Sequence, residues 1–170
     1  MQKVAKFEKV SFEQFKEDWL KQQPAYTEET IHKIYKNIEL PRRATTGSAG
    51  YDFFIPTDVA IEAGAEILIP TGIRVKIDPG YVLMLFPRSS LGFKYRLQLD
   101  NTVGIIDSDY YNAENEGHIM CKLINDSREE KMLEIKAQSG FVQGIFLPFA
   151  ITDDDEVSEE RIGGFGSTSK

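Results

Sequence analysis

A chain of 170 residues, 41% hydrophobic and 28% charged, has the size and make-up of one soluble domain that can bury a core without disulfides. With 27 acidic and 20 basic residues it carries a net charge of −7 and shows no basic stripe, which excludes a nucleic-acid polymer as partner. A single cysteine, Cys121, excludes an intrachain disulfide and predicts a reduced, cytoplasmic setting.

The first ten residues, MQKVAKFEKV, alternate charged and apolar side chains and lack the continuous apolar run of a signal peptide. The longest apolar stretches, 81–86 and 145–151, are far short of a membrane span, and no membrane partner is expected. Residues 11–38 read as two short helices. Ser11 and Gln14 form a capping box ahead of Phe12, Phe15, Trp19 and Leu20, and Pro24 ends that helix. A second starts near Thr27 and carries Ile31, Ile34, Tyr35 and Ile38 at helical spacing. Segment 1–38 is therefore expected as a helical extension, packed on the main domain or on a partner.

From Leu40 onward the pattern is strands and turns. Residues 73–77 alternate strictly, Asp78-Pro79-Gly80 supplies a turn, and 81–86 reads as a fully buried strand. Further strands are expected over 119–124, where Cys121 reads as a half-buried strand residue, and over 141–149. Many short strands with regular turns predict a mainly β chain of the jelly-roll kind over 39–152. An acidic linker and a glycine-rich tail then occupy 153–170.

Five stretches carry chemistry. Gly47-Ser48-Ala49-Gly50-Tyr51-Asp52-Phe53 sets one carboxylate among small residues, either as a strand end or beside a site. Pro87-Arg88-Ser89-Ser90-Leu91-Gly92 follows a strand with a guanidinium and two hydroxyls, a phosphate cradle or a plain capped helix start. Asn101-Thr102-Val103-Gly104-Ile105-Ile106-Asp107-Ser108-Asp109-Tyr110 reads as an apolar hairpin with Asp107 at its exit, able to orient a water as a general base. There Tyr110 offers a flat face to a sugar or base, and Asp109 reads as structural. Gln143 lies inside the apolar strand 141–146 and is either a satisfied core amide or a ligand contact. The tail Arg161-Ile162-Gly163-Gly164-Phe165-Gly166-Ser167-Thr168 has the composition of a lid, or of a plain tail. Neither His32 nor His118 has a partner at metal-ligand spacing.

Taken in order, these stretches resemble the five motifs of the homotrimeric dUTP pyrophosphatases (dUTPases). Leu40-Pro41-Arg42-Arg43-Ala44-Thr45, Ile69-Pro70-Thr71-Gly72 and Asp78-Pro79-Gly80-Tyr81 extend the match to roughly 39–168. The resemblance implies a β jelly-roll, a three-fold trimer with sites between subunits, and Mg²⁺-dependent hydrolysis of dUTP to dUMP and pyrophosphate. It implies Asp107 as general base and Asp52 as a holder of the water shell of Mg²⁺. Arg88, Ser89, Ser90 and Gln143 would bind phosphates. Backbone groups around Asn101, Ile105, Ile106 and Met120 would read uracil, and Tyr110 would sit under the deoxyribose, excluding a 2′-hydroxyl. Phe165 would stack on uracil, with Arg161, Gly166 and Ser167 at the phosphates.

The chain departs from the family in three places. Residues 111–116 intervene before Gly117, where the family reaches a glycine sooner. Ala137-Gln138 and Gly140 replace a Pro-Gly turn and an arginine, and the tail is one residue shorter after Arg161. Two other readings compete. A dCTP deaminase has an alanine-arginine pair after its Arg-Ser-Ser stretch, where Leu91-Gly92 stands here, and a non-catalytic binding domain has no need to keep Asp107, Arg88, Gln143 and Phe165 together.

Overall fold

The computed structural model describes residues 2–158. The tail residues Arg161, Phe165, Gly166 and Ser167 therefore lie outside the described residues. A mainly β jelly-roll is built on a five-stranded sheet ordered β2 (Arg42–Arg43), β3 (Tyr51–Phe54), β12 (Gly140–Pro148), β7 (Tyr81–Pro87) and β9 (Gly104–Ile106). A second sheet is ordered β5 (Glu66–Pro70), β10 (Met120–Asn125) and β8 (Leu97–Leu99). Two antiparallel pairs complete it, β1 (Ala5–Lys9) with β6 (Ile73–Ile77), and β4 (Val59–Ile61) with β11 (Leu133–Ile135).

The period-two alternation of 73–77 sends Ile73, Val75 and Ile77 into the core and leaves Lys76 in solvent. Strand β7 is not buried on both faces as its apolar run suggested. Leu83 and Leu85 are buried while Val82, Met84 and Phe86 stay half-exposed on the outer face. The 97–106 segment is also not a hairpin. β8 pairs with β10 and β9 pairs with β7, so the turn between them crosses from one sheet to the other.

The extension contains the two expected helices, α1 (Phe12–Gln22) and α2 (Glu28–Lys36), capped by the Ser11 and Thr27 side chains. It also holds β1, which the charge-apolar alternation of the first ten residues encodes and which pairs Ala5 with Ile77 through Lys9 with Ile73. Val10, Phe15, Trp19, Ile31 and Ile38 are buried in the same core as the β strands. Each such side chain contributes about 1.5–3 kcal/mol on burial, so the extension is packed on this domain.

One polar contact joins the two parts inside that core. His118 is fully buried, its Nε2 accepts from the Gly72 N–H (2.8 Å), and its Nδ1 therefore carries the proton and donates it to Asp18 Oδ2 of α1 (2.7 Å). Asp18 also accepts from Gln14 Nε2 (2.8 Å) and Lys21 Nζ (3.1 Å). Burial opposes its charge, but the hydrogen bonds from His118, Gln14 and Lys21 outweigh that penalty and hold the carboxyl at about 2.

The folded-state pKa of Asp18 is thus below its unfolded one. The stabilisation is full above pH ~4 and is lost as the pH falls towards 2. Asp18→Asn keeps an acceptor for His118 but removes the charge, and should cost about 2 kcal/mol in urea unfolding at pH 7. That gap from wild type should close as the pH is lowered from 4 to 2. A gap of the same size at every pH would show that the charge is not what stabilises.

Candidate active site

Register places the functional side chains. Asp52 on β3 pairs with Gln143 on β12, and Gln143 in turn pairs with Phe86 on β7, which puts all three on the outer face of the five-stranded sheet. Two residues beyond Phe86, Arg88 turns its Nε to within 3.4 Å of Asp52 Oδ1 and donates from Nη1 to the Gly140 carbonyl (3.3 Å). The Gln143 Oε1 takes the space that a Cβ on Gly50 would need, 2.7 Å away. Gln143 is only partly buried, so it is not a fully buried core amide.

The helix α3 (Ser89–Tyr95) starts directly after Arg88, with Ser89 and Ser90 exposed in its first turn. The first N–H groups of a helix have no partner inside it. A guanidinium beside one carboxylate is thus followed in the chain by two exposed hydroxyls and these donors. The Arg88–Asp52 pair is partly solvated, at 40% and 20% side-chain exposure. Such pairs contribute little to stability, which leaves the guanidinium available to an incoming anion.

A separate pocket of about 150 Å³ opens where the 99–104 turn crosses between the sheets, lined by Leu85, Leu99, Asn101, Gly104, Ile106 and Met120. Lys122 and Asp100 sit at its rim. Lys122 Nζ lies 2.7 Å from Asp100 and 2.6 Å from Glu66, and these hydrogen bonds push its pKa up to about 12. The rim cation is neutralised by its own neighbours, so the pocket suits a flat neutral ring. Ile105 points the other way and is exposed on the outer face.

Asp107 follows β9 and is exposed. Tyr110 does not present the open face read from its position. It is 2% exposed, its hydroxyl donates to the His118 carbonyl (2.7 Å) and accepts from Asn115 Nδ2 (2.8 Å). Cys121 is fully buried rather than half-buried, and burial pushes its thiol up to about 12, which removes it as a nucleophile.

The family model described as dUTPase matches residues 36–169. The chain belongs to the dUTPase family. It is 46% identical over 139 residues to the deoxyuridine 5′-triphosphate nucleotidohydrolase of Lactococcus lactis subsp. lactis, covering 79% of this chain and 91% of that protein. The corresponding protein of Paraburkholderia xenovorans is 40% identical over 140 residues, 78% of this chain and 90% of its own. Among solved structures, the dUTPase from Streptococcus mutans superposes with a TM-score of 0.64 at 38% identity, covering 86% of this chain and 98% of that one.

Gly104 should be the residue through which the pocket is most easily closed. A Cβ there would lie 3.0 Å from Leu85 Cβ and 3.2 Å from its Cδ1, at the pocket wall. Gly104→Ala should raise the KM for dUTP roughly 10-fold if this pocket takes the base, equivalent to about 1.4 kcal/mol, and should also lower the Tm through overpacking against Leu85. An unchanged KM would mean that the base is bound elsewhere.

Proposed function

We propose that Asp107 is the general base, and the Arg88 cluster the phosphate site, of the reaction this dUTPase catalyses, hydrolysis of dUTP to dUMP and pyrophosphate. The observation that carries this reading is the clustering of Asp52, Gln143 and Arg88 at the C-terminal end of β7, with Ser89 and Ser90 following in the chain and an apolar pocket on the strand that leads to Asp107. Asp107 takes a proton from a water whose oxygen bonds to the α-phosphorus. The bond from that phosphorus to the α–β bridging oxygen breaks, and pyrophosphate leaves with its charge held by Arg88 and the α3 start.

The pocket around Asn101, Gly104, Ile106 and Met120 receives uracil. Tyr110, buried and hydrogen-bonded, supports the floor beneath the sugar and limits the room for a 2′-hydroxyl. The contacts that the resemblance gives to Arg161, Phe165, Gly166 and Ser167 concern the tail.

The donor set at Asp52 fits a metal held through water. Mg²⁺ keeps several waters and takes one or two carboxylates together with substrate phosphates, and Asp52 supplies one carboxylate at the phosphate site. Among the described residues no group of three His, Cys, Asp or Glu converges into a closed cage. A dUTPase variant from phage phi11 of S. aureus, similar to this chain in fold at a TM-score of 0.63 and 19% identity, was solved with a structural Mg(II) ion. When bound with the triphosphate, Mg²⁺ neutralises part of its charge.

A single chain does not bring base and phosphate site together. Ile106 pairs with Leu83, which sets Asp107 opposite Val82, whereas Arg88 lies beyond the other end of β7. At about 3.3 Å per residue the two are ~20 Å apart. The outer face between them exposes Ile105 and Leu147, and Phe149 follows. A homotrimer in which one subunit's Asp107 meets another subunit's Arg88 satisfies both facts. The buried Cys121 thiol and the acidic surface suit a cytoplasmic enzyme, and no described helix is long and apolar enough to cross a membrane.

Two measurements test this. Asp107→Asn keeps shape and removes the base, and should lower kcat by roughly 10²–10⁴ while dUTP still binds. Arg88→Ala should be similarly inactive by itself. Mixing the two inactive variants under conditions of subunit exchange should restore part of the activity, because hybrid trimers contain sites with both groups intact. Wild-type turnover in Asp107→Asn would remove the base assignment, and mixtures that stay inactive after proven exchange would remove the shared site.

A further inference from the structure

Two segments of this chain that lie outside its five motifs meet. The family match begins at residue 36, so β1 and most of the helical extension precede it. The extra residues 111–116 follow the Asp107 turn. Ser11, the N-cap of α1, donates from its N–H and its hydroxyl to the two oxygens of the Glu116 carboxylate (2.7 and 2.6 Å). Tyr111 donates from its hydroxyl to Glu8 of β1 (2.7 Å) and accepts from Arg74 of β6 (2.8 Å), whose guanidinium also lies over the Tyr111 ring, 4.3 Å from its centroid. Asp18 accepts from His118 at the far end of the same loop. Three residues of the extension, on β1, at the start of α1 and in its second turn, thus hold three points of one loop.

That loop is continuous with the catalytic turn. The His118 carbonyl that Asp18 fixes through its ring is the acceptor for the Tyr110 hydroxyl, and Tyr110 sits in the 3₁₀ turn Asp109–Asn112, three residues after Asp107. On the other side His118 leads into Ile119, whose carbonyl accepts from the Thr71 hydroxyl (2.7 Å), and into Met120, paired with Pro70. The uracil pocket is thus tied to β5 independently of α1, whereas the Asp107 turn is tied to α1.

We infer that the N-terminal extension is a brace for the catalytic turn, with Glu8, Ser11 and Asp18 acting as positioning residues for the Asp107 carboxylate. The longer loop 111–118 would leave this turn loosely held, and the extension supplies the contacts that fix it. A displacement of about 1 Å at a catalytic group can cost up to 10²-fold in rate, so the brace acts on turnover more than on substrate binding. The inference rests on the assignment of Asp107 as the base.

Steady-state kinetics on dUTP with the full-length trimer separates the possibilities. Asp18→Ala should lower kcat about 10-fold with KM changed less than about 2-fold, since the pocket is held from β5. Asp18→Asn, whose amide oxygen still accepts from the His118 Nδ1–H, should restore kcat to within about 2-fold of wild type despite its lost charge. Tyr111→Phe removes one half-buried hydroxyl, leaves the fold intact, and should lower kcat about 3-fold in the same pattern. The comparison is Ile31→Val, a core change in α2 that removes none of the hydrogen bonds to the loop, which should lower the Tm without affecting kcat. If Tyr111→Phe and any folded Asp18→Ala protein keep wild-type kcat, or if Ile31→Val lowers it equally, the brace is only structural and the inference is overturned. Asp107→Asn measured alongside keeps the two readings apart, because full turnover in that variant removes the base assignment whatever the brace variants do.

Discussion

Strand β7 is the constraint on which the site depends. It is the shared neighbour of β12 and β9, and these two pairings fix where every reacting group can lie. Through β12 it places Gln143 and Asp52 beside its C-terminal end, where Pro87 stops the strand and Arg88 begins α3. Through β9 it places Asp107 near its other end. Extended backbone cannot shorten, so the ~20 Å between Asp107 and Arg88 is a property of the fold and not of one conformation. On the proposed reading, the exposed apolar residues of the same outer face would be covered by a second copy that completes the site.

Much of this was legible in the sequence, because its signals were local. An N-cap serine, a strict alternation over 73–77 and a Pro-Gly turn each act within a few residues and form where the pattern put them, although the Gln14 side chain bonds Asp18 instead of closing a capping box on the Ser11 N–H, which goes to Glu116. The motif residues Asp52, Arg88 and Gln143 lie 36 or more positions apart in pairs, and only their shared resemblance to a family linked them before the register showed them on one face. What failed was the inference from hydrophobicity to burial. An apolar run such as 81–86 reads as buried on both faces, yet only Leu83 and Leu85 are. The run cannot reveal which of its residues face outward, because period-two geometry sends alternate side chains to opposite faces whatever their polarity. The alternation in 4–9 argues against a signal peptide and, having period two, is also the signal of the strand β1.

Tyr110 shows how one residue can carry two demands. Position alone suggested a ring laid open to the sugar, but the structure buries it and occupies its hydroxyl with the His118 carbonyl and Asn115. If Tyr110 sets the room for the sugar as proposed, burial suits it, because a ring packed on all sides yields less than an exposed one. A buried hydroxyl without partners would cost free energy, so the loop that supplies the carbonyl is part of the same requirement. Removing the ring would therefore test the turn as well as the sugar contact, and the two effects would arrive together.

The extension and the loop 111–118 then read as one device assembled from distant sequence. A longer loop after a catalytic turn adds conformational freedom, at about 1–2 kcal/mol of ordering entropy per residue. That cost has to be offset by contacts, and a loop rich in polar side chains offers few apolar ones. Here the contacts are charged or hydroxyl groups aimed at specific partners: Glu116 at a helix N-terminus, Tyr111 between Glu8 and Arg74, His118 between Gly72 and Asp18. Hydrogen bonds to charged groups are worth about 1.5–3 kcal/mol each, more than neutral ones. They are also directional, so they fix where the loop lies as well as that it is folded. The buried pair Asp18 and His118 matters most among them, because it is shielded from water and joined by one carbonyl to the turn that carries Asp107. Apolar packing of α1 alone would hold the helix against the core and still leave that turn free to shift by the fraction of an ångström that catalysis does not tolerate.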